Sequence, residues 1–77
     1  MYDQANVWSY NFCRNIAYLR RTHNLTQAQM ARIMGVGVHS IRLLERGILP
    51  KRLSYMVFYP LCDYFNLSAD ALFTPME

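Results

Sequence analysis

His39, Arg42 and Arg46 fall three and four residues apart within residues 38–47, VHSIRLLERG, a spacing that gathers them on one side of a helix. A guanidinium donates in parallel pairs to a planar polar edge or an anion, and an imidazole can donate or accept one hydrogen bond. The chemistry on offer is reversible recognition. Bond-making chemistry lacks its parts: neither His23 nor His39 is placed with a Ser, Cys or carboxylate at a catalytic spacing, and no glycine-rich phosphate loop is present. Cys13 and Cys62 are far apart, on apolar helical faces, with no second cysteine or histidine at ligand spacing. That argues against a zinc site and for reduced thiols. No metal, cofactor or small-molecule ligand is expected, and the chain does not read as an enzyme.

The elements that must hold the basic row lie within residues 25–47, LTQAQMARIMGVGVHSIRLLERG. Thr26 followed by Gln29 is a capping-box pattern, so a first helix starts at about Gln27. Met30, Ala31, Ile33 and Met34 form its apolar stripe, and Gly35, free to adopt positive φ, ends it. Val36 is the apolar residue of the turn and Gly37 a tolerable N-cap. A second helix then runs over residues 38–46 until Gly47. With Ile41, Leu44 and Glu45 turned inward, His39, Arg42, Leu43 and Arg46 face outward. The pattern predicts a helix-turn-helix over about residues 26–46.

Charge supports that focus. Residues 14–52 contain all eight Lys and Arg but one acid, Glu45; Asp3, Asp63, Asp70 and Glu77 lie outside. A basic half that coincides with the motif favours a polyanion, nucleic acid ahead of membrane. The opening residues have no basic flank or long apolar run, and the apolar run at residues 55–59 is too short to cross a bilayer. A cytoplasmic protein is expected. Seventy-seven residues make one small domain. An apolar fraction of 53%, with six Tyr and four Phe, exceeds what such a core can hold. The surplus is either amphipathic tyrosine on the surface or an interface.

Around the motif, residues 1–5 read as a loose arm. Val7, Trp8, Phe12, Ile16 and Leu19 form one face of a helix reaching about His23, with Asn24 as a left-handed terminator. Ser54 caps a fourth helix over residues 55–65 in which Pro60 demands either a bend or a late start. Asn66 ends it, and Ser68 caps a short last helix, residues 69–73, stopped by Thr74-Pro75. No repeat or linker divides the chain.

Several residues at fixed spacing carry a family resemblance: Leu25-Thr26-Gln27, Met30-Ala31, Gly35-Val36, Ser40-Ile41 and Glu45-Arg46-Gly47, with Leu19-Arg20 before them and Asn66-Leu67-Ser68 through Leu72-Phe73 after. In these the chain resembles the lambda-repressor-like helix-turn-helix family, the Cro and XRE type, over about residues 12–73. The resemblance implies a compact all-α five-helix domain that binds double-stranded DNA, with the second motif helix in the major groove. It also implies an Arg20–Glu45 bridge from the first helix to the end of the recognition helix. Phosphate contacts would fall on Thr26, Gln27 and Gly37, with further charge from Arg46, Lys51 and Arg52. Base reading would fall on Val38, His39, Arg42 and Leu43. A homodimer is implied, with Leu72, Phe73 and Met76 as interface candidates; Leu67, Leu72 and Phe73 could instead close the core, and Trp8, Tyr55, Tyr59 and Tyr64 are further candidates.

The sequence departs from the family where bases would be read. Val38 and Leu43 can only touch a thymine methyl, and Gly37 replaces the polar residue usual before the helix, so direct readout is sparse. The connection after Gly47 is longer than usual. Two functions follow: a small repressor-like transcriptional regulator, or a protein-interaction module on the same fold, an antirepressor or antitoxin-like partner using the outward apolar residues. Nothing in the 77 residues reads as an inducer-binding module.

Overall fold

The computed structural model describes residues 4–51 and 53–76. Its elements are α1 (Gln4–Thr22), α2 (Gln27–Met34), α3 (Val38–Glu45), a 3-10 turn (Tyr55–Val57), α4 (Phe58–Phe65) and α5 (Ala69–Leu72). The fold is all-helical, as expected. The first helix starts at Gln4, inside the stretch expected to be loose; Met1, Tyr2 and Asp3 lie outside the described residues.

The helix ends follow local chemistry. Asn24, Gly35, Gly47 and Asn66 all have positive φ, at 56°, 72°, 83° and 55°. In each case the next residue's N–H returns to the carbonyl five positions back: Leu25 to Arg20, Val36 to Ala31, Ile48 to Leu43 and Leu67 to Cys62. This closure satisfies carbonyls that a helix end otherwise leaves open and turns the chain back on itself. The starts are capped by Thr26 for α2, Ser54 for the 3-10 turn and Ser68 for α5, each accepting a backbone N–H in its side chain.

Pro60 resolves by a late start. The chain makes a 3-10 turn first, and α4 begins at Phe58, which places Pro60 in the first turn, where no intrahelical N–H is required.

One core joins the helices: Phe12, Ile16 and Leu19 from α1, Met30 and Met34 from α2, Ile41 and Leu44 from α3, with Val57, Leu61 and Leu72. A trio of rings seals one end, Phe12 against Phe58 (5.5 Å between centroids) and Phe73 (5.6 Å), and Phe58 edge-on to Phe73 (5.3 Å). Val7 and Trp8, expected on the core face of α1, are exposed; their periodicity is right, but Trp8 only borders an open recess with Asp70, Phe73 and Thr74. Both cysteines are free, Cys13 buried and Cys62 half-buried, and burial pushes the Cys13 thiol above its ordinary pKa. No helix among the described residues is long and apolar enough to cross a membrane.

Asn15 gave no signal in the sequence. It is polar but buried in α1, and its amide nitrogen donates to the carbonyls of Leu72 (2.8 Å) and Thr74 (2.9 Å), while Met76 N–H donates to its Oδ1 (3.3 Å). One turn earlier, Asn11 donates to the Phe73 carbonyl at 3.0 Å. These two amides dock the segment after α5, whose backbone would otherwise be left without partners at the core edge.

Candidate nucleic-acid interface

α2 and α3 owe their orientation to a short polar network. Arg20 on α1 meets Glu45, the last residue of α3, through two parallel bonds, Nε to Oε2 at 2.5 Å and Nη2 to Oε1 at 3.0 Å. The remaining arm of the guanidinium donates to the Leu25 carbonyl at 3.0 Å, just before α2. Gln27, the first residue of α2, donates from Nε2 to Glu45 Oε1 at 3.3 Å. The Arg20 and Glu45 side chains are only 21% and 15% exposed, so the carboxylate ties together α1, the start of α2 and the end of α3. Among the described residues no other acid stands in the basic half of the chain.

The start of α2 is a full capping box. Thr26 Oγ1 accepts from Gln29 N–H at 3.0 Å, and Gln29 Oε1 accepts from Thr26 N–H at 2.8 Å. The box takes up two of the N–H donors at this helix start and leaves those of Gln27 and Ala28 for an anion. Gly37 caps α3 with extended backbone and no side-chain bond, which leaves the positive end of the α3 dipole without a side-chain acceptor.

Along α3 the expected reading residues separate. His39 and Arg42 are exposed, Leu43 is half-exposed, and Arg46, the C-cap, is exposed. Val38 is half-buried and packs against the core. It is the first residue of α3 and, packed against the core, offers less surface to a groove than its sequence position suggests. Lys51 is exposed, and Arg52 lies outside the described residues.

The expected dimer residues are drawn inward. Leu72 is fully buried in the core, which removes it as an interface residue: a partner could reach it only by opening the core. Phe73 belongs to the ring trio, and Met76 packs against the core while its N–H is held by Asn15. His23, read as supporting the α1 dipole, has Nδ1 2.9 Å from the Leu19 carbonyl and lies edge-on to Phe65 at 4.8 Å. It fastens α1 to α4. Among the described residues no group of His, Cys, Asp or Glu is arranged to hold a metal ion.

A capped helix, a left-handed glycine turn and a second helix with an exposed basic row, all mounted on a helical core, define a helix-turn-helix domain. A model of the helix-turn-helix family matches residues 16–72. The chain belongs to that family, in its Cro and XRE-like branch, a class of DNA-binding regulators. A curated relative is the antitoxin PezA of Streptococcus pneumoniae serotype 4, 34% identical, with 83% of this chain and 43% of that protein covered. The chain thus spans less than half the length of the relative it matches. No solved structure gives a significant match.

Proposed function

We propose that this domain binds double-stranded DNA in a sequence-specific manner as a repressor-like transcriptional regulator, working inside the cell as a homodimer on two half-sites. The observation that carries the reading is the exposed row His39, Arg42 and Arg46 on a helix whose end is fixed by the Arg20–Glu45–Gln27 network. α3 enters the major groove with its uncapped N-terminus leading. Arg42 pairs with a guanine edge, worth about 1–3 kcal/mol of discrimination, and His39 adds one bond. The N–H groups at the start of α2, the second amide hydrogen of Gln27, Arg46, Lys51 and Arg52 grip phosphates and contribute affinity without sequence preference.

A second reading, docking of a protein partner on the same face, is favoured by one observation. Ile48 and Leu49, which follow α3 closely, are 44% and 45% exposed, and Leu43 on α3 is half-exposed. A relative named as an antitoxin fits a protein partner as well as it fits DNA.

Selection of duplexes from a random library at physiological salt, repeated with Arg42→Ala, separates the two. An enriched motif that is lost in the variant supports base reading by Arg42. Salt-sensitive binding with no enriched motif moves the function to the protein-docking reading.

A further inference from the structure

We propose that the recess between the start of α1 and α5 docks an arginine-bearing segment of a partner protein. Trp8, Asp70, Phe73 and Thr74 border this open recess of about 600 Å³, and among the described residues none from α2 or α3 does. Trp8 is 49% exposed, a large aromatic surface that folding leaves half covered. Along α1 it stands twelve residues before Arg20, about 18 Å at the helical rise. Occupation of the recess therefore leaves the Arg20–Glu45 network and α3 open to their own ligand, and the proposal does not depend on whether α3 holds DNA.

The chemistry of these residues selects a cation with an apolar stem. An indole attracts a cation over its face, and arginine suits it best because its planar guanidinium also stacks. The Asp70 carboxylate supplies the counter-charge and accepts parallel bonds from the same guanidinium. Among the described residues no donor meets that carboxylate: Thr74 Oγ1, its neighbour in the recess, donates instead to the Asp70 backbone carbonyl at 3.0 Å. Phe73 gives the aliphatic stem an apolar wall. The recess is several times the roughly 150 Å³ that holds a benzene ring. It has room for residues flanking the arginine, which a protein segment brings and a free ion does not.

Charge complementarity gives the sign of the partner. Residues 1–13 and 53–77 contain four acids and no Lys or Arg, whereas residues 14–52 contain all eight cations and one acid. The described parts of the two ends meet where Asn11 and Asn15 hold the segment after α5. Among the described residues no cation lines the recess, so nothing there repels a guanidinium or draws a phosphate. Nucleic acid and an anionic membrane are disfavoured, and a basic protein segment is favoured. A second copy would offer a cation only from its own basic half, in a head-to-tail contact that is not self-complementary.

Trp8 is the chain's only tryptophan, so its fluorescence reports the recess directly. The probe is the peptide acetyl-Leu-Arg-Leu-amide, titrated into the 77-residue chain without DNA. Beside it stands the same peptide with citrulline, which keeps the shape of arginine and loses its charge. The arginine peptide is expected to change Trp8 emission saturably with a Kd of about 1 mM. The citrulline peptide and free arginine should bind at least about tenfold more weakly. Asp70→Asn should weaken the arginine peptide by the same factor, and Asp63→Asn, which removes an exposed acid outside the recess, should leave it unchanged. Trp8→Leu, followed by the amide shifts of Phe73 and Thr74, should weaken it as well. All three positions are exposed, so an unchanged helical circular dichroism spectrum verifies that the variants fold. Equal binding of the two peptides, or equal loss in the two Asp→Asn variants, overturns the proposal. So does the absence of any saturable change. Free arginine binding as tightly as the peptide overturns it in favour of a small-cation site, and emission that shifts with the protein's own concentration gives the recess to a second copy. The duplex selection is scored separately: a chain that takes the peptide yet enriches no duplex loses only the DNA-binding reading.

Discussion

Replacing Glu45 by Ala removes the one carboxylate that α1, α2 and α3 share. In the wild type it accepts two parallel bonds from Arg20 and one from the Gln27 amide. After truncation the guanidinium keeps only the Leu25 carbonyl and is left about four-fifths buried with no counter-charge. Breaking a fully buried pair from one side costs about 3–5 kcal/mol, and an exposed pair contributes about 0.2–1 kcal/mol. This pair lies between those limits, so we expect a loss of about 2 kcal/mol. For a domain of this size that lowers Tm by about 8–16 °C. Thermal unfolding followed by circular dichroism measures it directly. Replacing both partners with apolar residues, Arg20→Met with Glu45→Leu, should recover most of the loss, because the single variant suffers mainly from the charge left behind. A Glu45→Ala midpoint within about 2 °C of the wild type refutes the reasoning: the network would then be worth no more than a surface pair and could not be what sets α3.

Two further outcomes follow from the structure. Asn15→Leu keeps the branched shape of the side chain but abandons the Leu72 and Thr74 carbonyls and the Met76 N–H; a loss of about 2–3 kcal/mol is expected, with faster proteolysis after α5, and a variant as stable and protease-resistant as the wild type would contradict the docking role. In the native chain, thiol alkylation followed by mass spectrometry should modify half-buried Cys62 well before Cys13, whose burial both blocks the reagent and raises the thiol pKa, keeping it protonated at pH 8. Equal rates would mean that α1 opens readily.

The parts of the candidate site that were legible in the sequence are those set by short-range rules. Thr26 and Gln29 are three residues apart and satisfy each other's N–H groups, so the start of α2 could be read from two letters. Asn24, Gly35, Gly47 and Asn66 could be read as helix ends because they tolerate positive φ at little cost. The outward position of His39, Arg42 and Arg46 follows from helical pitch alone. Arg20 and Glu45 came from family resemblance, since twenty-five positions separate them and no local rule joins them.

What the sequence by itself determined, then, is where most helices are capped and ended and which face of α3 is basic, whereas the starts of α1 and α4 differ from the sequence expectation. Tertiary structure alone decided which apolar residues found cover. Val7 and Trp8 share the periodicity of Phe12 and Ile16, yet stay partly exposed because α5 and the residues after it border Trp8 without closing over it. Leu72 and Tyr59 were both interface candidates, and packing sent one into the core and left the other outside. The same holds for Asn15, a polar residue whose partners lie more than fifty positions away. Periodicity fixes the direction in which a side chain leaves its helix, but burial and hydrogen bonding depend on what a distant segment brings to meet it.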